Sequence, residues 1–285
     1  MRLLPVICIL ILSYACTPPV RTIPRKFKPS YDTAAYAGII MPTDPQPDLR
    51  GGIFLAEIEV KDRGWSLDCK LPEVQFLARE KTRSIGGNLL VVYEHRSPEP
   101  GESNCHRLIA KAFRFDSLNG QEATIYWSPA RSLNVQDLRN TSQTSLPSQF
   151  QYRLIGDYYN EINIRTITTF ETAKMHAGSN PNTSARIAQL YFDIAEIYAR
   201  LFKKEMDARE HKLGVLLKGA PETNKTIQSE FEARLNELNS ELSNSNDLGK
   251  TLQIWEQDVT DLLQETEKYK GDLIISLKPP KRGSK

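Results

Sequence analysis

The stretch SARIAQLYFDIAEIYARLFKK, residues 184–204, decides what kind of fold this chain adopts. Its residues Ile187, Leu190, Tyr191, Ile194, Ile197, Tyr198, Leu201 and Phe202 recur at i, i+3, i+4 and i+7, which gathers them on one side of an α-helix. Thr183 or Ser184 is placed to cap its start. Two more amphipathic stretches follow. One runs from about Asn224 to Ser243, with Ile227, Phe231, Leu235, Leu238 and Leu242 on one face. The other runs from about Leu248 to Tyr269, with Leu248, Leu252, Trp255, Val259, Leu262 and Tyr269 aligned. Each stripe must be buried against another element, so the helices are expected to pack on strands or on each other. Candidate strands lie just upstream. FQYRLIGDYY (150–159) and NEINIRTITTFE (160–171) are rich in Ile, Thr and Tyr, with a turn near Asp157–Asn160. The polar loop AKMHAGSNPNTSA then leads to the first helix.

An independent pattern precedes this block. IFLAEIEV (53–60) alternates like a strand. LPEVQFLAREKTRSI (71–85) has helical spacing, with Pro72 suited to a first turn and Gly86-Gly87-Asn88 suited to ending it. NLLVVYEH (88–95) and HRLIAKAFRF (106–115) read as two more strands. The expected fold class is α+β: a small β-α-β-β domain, then a domain of strands and long helices. The latter opens with ATIYWSPARSLNVQDLRN, a short strand, a loop and a single helical turn.

The 285 residues suffice for one large domain or two modest ones, and 40% hydrophobic with 25% charged content is ordinary for a folded protein. The net charge is +2, from 37 basic and 35 acidic residues, so nothing draws the chain toward nucleic acid. The first residues, MRLLPVICILILSYAC, combine an Arg with an apolar run too short to span a bilayer, in the proportions of a secretory signal. Ala15-Cys16 resembles the lipobox of bacterial lipoproteins, although Ser13 stands where that family usually has an aliphatic residue. The resemblance implies acylation of Cys16, membrane attachment through the lipid and, since Thr17 is not Asp, residence at the outer membrane. The alternative is an ordinary cleaved signal. The expected organisation is a signal at 1–16, a proline-rich tether at 17–50, a small α/β domain at 51–117, the helical domain at 118–270 and a basic tail at 271–285, whose last stretch KPPKRGSK is expected to be disordered.

Of the four cysteines, Cys8 lies in the signal and Cys16 is the acylation candidate. Cys69 and Cys105 remain, and an even pair in an exported chain reads as a disulfide, with two separate buried thiols as the alternative. The segments AREKTRSIGGNLLVVYEH and SNCHRLIAKAFRF resemble a small disulfide-bearing domain of bacterial envelope lipoproteins. His95 and His106 read as strand-edge histidines rather than metal ligands.

The helical block resembles a family of predicted secreted zinc-dependent proteases from bacteria. The resemblance rests on YWSPARSLNVQDLRN, on the strand pair up to Phe170, and most specifically on LYFDIAEIYARLFKK. In that family HExxH precedes Phe-Asp-Ile-Ala-Glu. Two His at i and i+4 share a helix face and hold one Zn²⁺, and the Glu polarises a zinc-bound water. Aligned on Phe192–Glu196, the first ligand position is Ile187, the general-base position is Ala188 and the second ligand position is Tyr191. SNSNDLGKTLQIWE matches the family through Gln253, Trp255 and Glu256 but lacks the His of a third ligand. The resemblance therefore implies a protease scaffold without its chemistry, and no metal or cofactor is expected.

No GxSxG, P-loop or GxGxxG motif is present. Asp193 and Glu196 share a helix face and are expected to pair with Arg200, Lys203 or Lys204 rather than to catalyse. Three readings follow: a non-catalytic, lipid-anchored envelope protein binding a protein or peptide partner; a metallopeptidase using His176, His211 and a carboxylate; and a structural or sensing lipoprotein.

Overall fold

The computed structural model describes residues 20–24, 31–61, 69–99, 105–118, 120–138, 146–156, 160–175 and 178–277. Cys8, Cys16, His176 and the turn residues 157–159 lie outside them. The fold class is α+β, as expected. The chain divides into two units, Met1–Arg131 and Ser132–Lys285. The strand Thr124–Tyr126, beyond the 117/118 division read from the sequence, lies in the first unit.

The first unit contains β1 (Val20–Pro24), β2 (Gly38–Ile40), β3 (Ile53–Val60), α1 (Leu71–Ser84), β4 (Leu89–Arg96), β5 (Arg107–Arg114) and β6 (Thr124–Tyr126). Their sheet order is β1-β3-β5-β4-β2-β6. β2 is parallel to β4, while β1, β3 and β5 pair antiparallel, as do β4 and β5. Helix α1 covers one face, packing Val74 and Ala78 with Ile58, Leu90, Leu108, Ala110 and Ala112. The helix ends where Gly86, at φ 82°, takes the left-handed conformation and sends its N–H back to the Arg83 carbonyl at 2.9 Å. A Cβ on Gly86 would fall 2.3 Å from Cβ of Tyr31, so glycine is required there twice over.

The described parts of the range 17–50, residues 20–24 and 31–50, contribute strands to the sheet and do not form the expected tether. Val20–Pro24 pairs along β3 from Val20↔Val60 to Pro24↔Ala56, with its proline on an edge strand where no further ladder bond is needed. Within the proline-rich stretch, Tyr36, Ala37, Ile39 and Ile40 are buried, and Gly38–Ile40 adds to β4. Their short apolar run outweighs the surrounding prolines. Arg79 on α1 donates to the Ala37 carbonyl at 2.7 Å and stacks 3.6 Å from the Tyr126 ring centroid. Glu122, fully buried, accepts from the Tyr36 hydroxyl and from Nε of Arg131 at 2.9 Å. Burial first, then the Glu122 charge, pushes the Tyr36 phenol well above its ordinary range.

The second unit begins with a one-turn helix at Val135–Asp137. It continues with β7 (Ser148–Gly156), β8 (Glu161–Glu171), α2 (Pro181–Asp207), α3 (Leu213–Asn244), α4 (Leu248–Glu265) and β9 (Leu273–Ser276). β8 pairs antiparallel with β7 and with β9. The core joins Phe150, Ile162 and Ile164 of the strands to Ile194, Phe202, Leu216, Phe231, Leu235, Leu252 and Trp255 of the helices. Three local expectations change. Asn180, not Thr183 or Ser184, caps α2, its Oδ1 accepting from the Thr183 N–H at 3.2 Å. α3 starts eleven residues ahead of Asn224 and carries Pro221 inside it, because Leu216 and Ala220 extend the buried stripe across the proline. Residues 273–276, expected within the basic tail that follows the helical domain, form β9, with Ile275 buried, while the stretch 278–285 expected to be disordered lies outside the described residues.

Two outcomes follow for stability. A Cβ at Gly38 would fall 2.1 Å from Oε1 of Glu122, so Gly38→Ala should cost about 3 kcal/mol in urea unfolding, by displacing a buried charge. Replacing both Cys69 and Cys105 by Ala should cost up to about 4 kcal/mol, the chain-entropy value for a closed loop of 36 residues.

Candidate functional site

Helix α2 positions the residues singled out by the protease resemblance. Ile187 is half-buried against the core, Ala188 is fully buried, and Tyr191 is buried with its hydroxyl donating to Oδ1 of Asn239 on α3. Burial raises the Tyr191 phenol above its ordinary range. Between them, Gln189 accepts from the Leu133 N–H at 2.8 Å and donates to Asp193 at 2.9 Å. The motif positions therefore serve packing and side-chain tethering. Ile187 offers no lone pair, Ala188 no proton-transfer group, and the Tyr191 oxygen already has its partner.

Trp255, singled out by the same resemblance, is buried and donates from Nε1 to Glu241 at 2.8 Å, with the Arg234 guanidinium 4.1 Å from its ring centroid. Glu256 takes Arg186 in a two-pronged pair at 2.7 and 2.8 Å. These contacts hold α4 against α3 and α2.

Glu196 and its neighbours form a buried polar line along α2. Glu196 accepts from Thr168 Oγ1 of β8 at 2.8 Å and from Nε of Arg200 at 2.9 Å. Arg200, 1% exposed, also donates to the Leu263 carbonyl at 2.8 Å, satisfying an end group of α4. Lys203 donates to the Gly271 carbonyl at 2.6 Å, and burial pushes its ammonium down to about 8. Pairing of Glu196 with Arg200 is the use the sequence suggested. What the sequence did not display is the burial, because Arg and Lys at helical spacing normally face water. The run of apolar residues on both sides of them was the available signal.

In the first unit, Cys69 and Cys105 form a disulfide with Cα atoms 4.9 Å apart, both buried. It joins the start of α1 to the start of β5, and the His106 N–H donates to the Cys69 carbonyl at 3.1 Å. His95 and His106, separate in the sequence, meet across β4 and β5. Nε2 of His95 lies 2.9 Å from Nδ1 of His106, and the rings are nearly parallel at 12°. Two imidazoles sharing one hydrogen bond need at least one of them neutral. Burial lowers both rings below their ordinary range, and the neighbouring His95 lowers His106 further. The hairpin register, with His95 opposite Leu108, was the signal that could have found this pair. His211 places Nε2 3.0 Å from the Asp207 carbonyl oxygen. Among the described residues no group of three or more His, Cys, Asp or Glu could hold a metal ion.

No protein-family model matches the chain, and no curated protein or solved structure does either.

The histidine pair predicts a pH dependence. Folded-state values below the ordinary 6.5 mean that the unfolded chain takes up protons first as pH falls. The stabilisation is full above about 6.5 and is lost below it. Urea midpoints measured from about pH 7.5 to about 5 should fall, and His106→Asn should flatten that slope.

Proposed function

We propose that this chain is a non-catalytic, lipid-anchored protein of the bacterial cell envelope, whose second unit is a protease-like scaffold that binds a protein or peptide partner. The observation that carries the reading is the packing at the three motif positions. A helix that once aimed two ligands and a base at a metal would need side chains with lone pairs facing a cleft. Here those positions hold Ile187, Ala188 and Tyr191, built into the core and a hydrogen bond to Asn239. The Cys69–Cys105 disulfide supports an oxidising compartment, because such bonds persist outside the cytosol. Attachment at Cys16 follows from the lipobox-like segment, and the outer membrane is the residence it favours. Among the described residues no helix is long and apolar enough to cross a membrane.

The test has two readouts on the full chain. Growth with labelled palmitate should label the protein, and Cys16→Ala should abolish the label. Equilibrium dialysis against Zn²⁺ with metal analysis, beside a casein-cleavage assay, should give no stoichiometric metal and no cleavage. One tightly held zinc per chain with chelator-sensitive cleavage would overturn the non-catalytic reading. A full-length chain without label would overturn the anchoring.

A further inference from the structure

The sheet of the first unit has a second face, opposite α1, and its charge pattern is uneven. Antiparallel pairing sets Arg96 of β4 directly opposite Arg107 of β5. On the other side of β5, Val60 is opposite Leu108, so the next step along the chain brings Lys61 beside Arg107. Three cations thus stand in a row across three neighbouring strands. One layer further in, Glu59 and Glu94 are both opposite Ile109. The six side chains line a cleft of about 360 Å³.

Like charges placed directly across strands destabilise a sheet. The two glutamates relieve only the flanks, Glu59 pairing with Lys61 at 2.5 Å and Glu94 with Arg96 at 2.5 Å. Arg107, half-buried in the middle, has no ion-pair or hydrogen-bond partner among the described residues. Its guanidinium fork is a ready receptor for two oxygens of one anion.

The position of the row says where that anion comes from. Val20, the first residue of β1, pairs with Val60, next to Lys61. Cys16 is four residues ahead of Val20, a length that spans at most about 14 Å. The row therefore sits at the end of the sheet from which the chain leads to its acylation site. We propose that Lys61, Arg107 and Arg96 bind the phosphate of an anionic phospholipid headgroup in the membrane that carries the anchor, with Arg107 as the central contact. The assignment of lipid as the phosphate source rests on the anchoring proposed above. Docking by this row would hold the first unit against the bilayer in one orientation, adding a second attachment to a single lipid-bearing cysteine.

The test uses the full chain in a neutral detergent, titrated with dihexanoylphosphatidylglycerol, dihexanoylphosphatidylcholine and inorganic phosphate. Phosphatidylglycerol should bind about ten-fold more tightly than either competitor, and less tightly as salt rises. Arg107→Gln should weaken binding about ten-fold with an unchanged melting curve. If that variant melts early, Arg96→Gln, whose side chain is 64% exposed, reads the same site without touching the core. Inorganic phosphate binding as well as the lipid would overturn the headgroup assignment. Equal binding by wild type and both variants would overturn the site. Palmitate labelling of the same preparation separates the two ideas. Labelled protein that ignores phosphatidylglycerol sinks the headgroup site alone, whereas unlabelled protein that binds it keeps the site and sinks the anchor.

Discussion

Glu196 and Arg200 meet at 2.9 Å inside the second unit, with both side chains almost sealed from water. The middle of helix α2 buries residues on nearly every side, from Leu190, Phe192 and Ile194 to Ala199, Phe202 and Met206, so Glu196 and Arg200 are enclosed there while Arg186, Lys204 and Glu205 face water nearer its ends. A single buried ion costs several kcal/mol, and a pair repays that only when its remaining donors and acceptors are also met. Here they are met by Thr168 from β8 and the Leu263 carbonyl from α4, and the neighbouring Lys203 is met by the Gly271 carbonyl ahead of β9. Each of those bonds fixes an element in place. The polar line is thus a positional device as much as a neutralising one, because β8, α4 and the approach to β9 fit together around α2 only when the charges are satisfied.

The first unit solves a similar problem differently. Glu122 is fully buried, and its two oxygens are taken by Tyr36 and Arg131. The partners come from distant parts of the chain, so the carboxylate gathers the segment around β2 and the stretch after β6 about one point. Gly38 has no side chain because that carboxylate occupies the space. The disulfide performs the corresponding task at the other end, clamping α1 to β5.

Periodicity exposed most of the regular structure. Ile53–Val60 alternates because one face is covered by α1 and the other is not, and the bounds of β3 match that alternation. α2 was legible because its apolar stripe is long and unbroken. The elements that escaped are those whose local signal conflicts with their environment. β1 and β2 lie among prolines, and their strand state comes from long-range pairing with β3 and β4. Pro221 reads as a helix break, yet the stripe of Leu216, Ala220 and Ile227 holds α3 together through it. β9 is four residues long and next to a basic run, too short for any period to register. At the candidate site, the chemistry of Ile187, Ala188 and Tyr191 was legible residue by residue. That Tyr191 reaches Asn239, 48 positions away, is tertiary information.

β9 carries a consequence for how the protein comes into being. Its pairing with β8 from Glu161↔Ser276 to Ile164↔Leu273 joins segments more than a hundred residues apart. Asp272, just before it, receives Arg165 at 2.9 Å, and Gly271 receives the buried Lys203. Until residues 271–276 have emerged, β8 lacks its pairing with β9, and the bonds from Arg165 to Asp272 and from Lys203 to Gly271 cannot form. A chain made from its N-terminus can therefore assemble the sheet of its first unit while the second waits, unable to close around α2 until nearly the whole polypeptide is available.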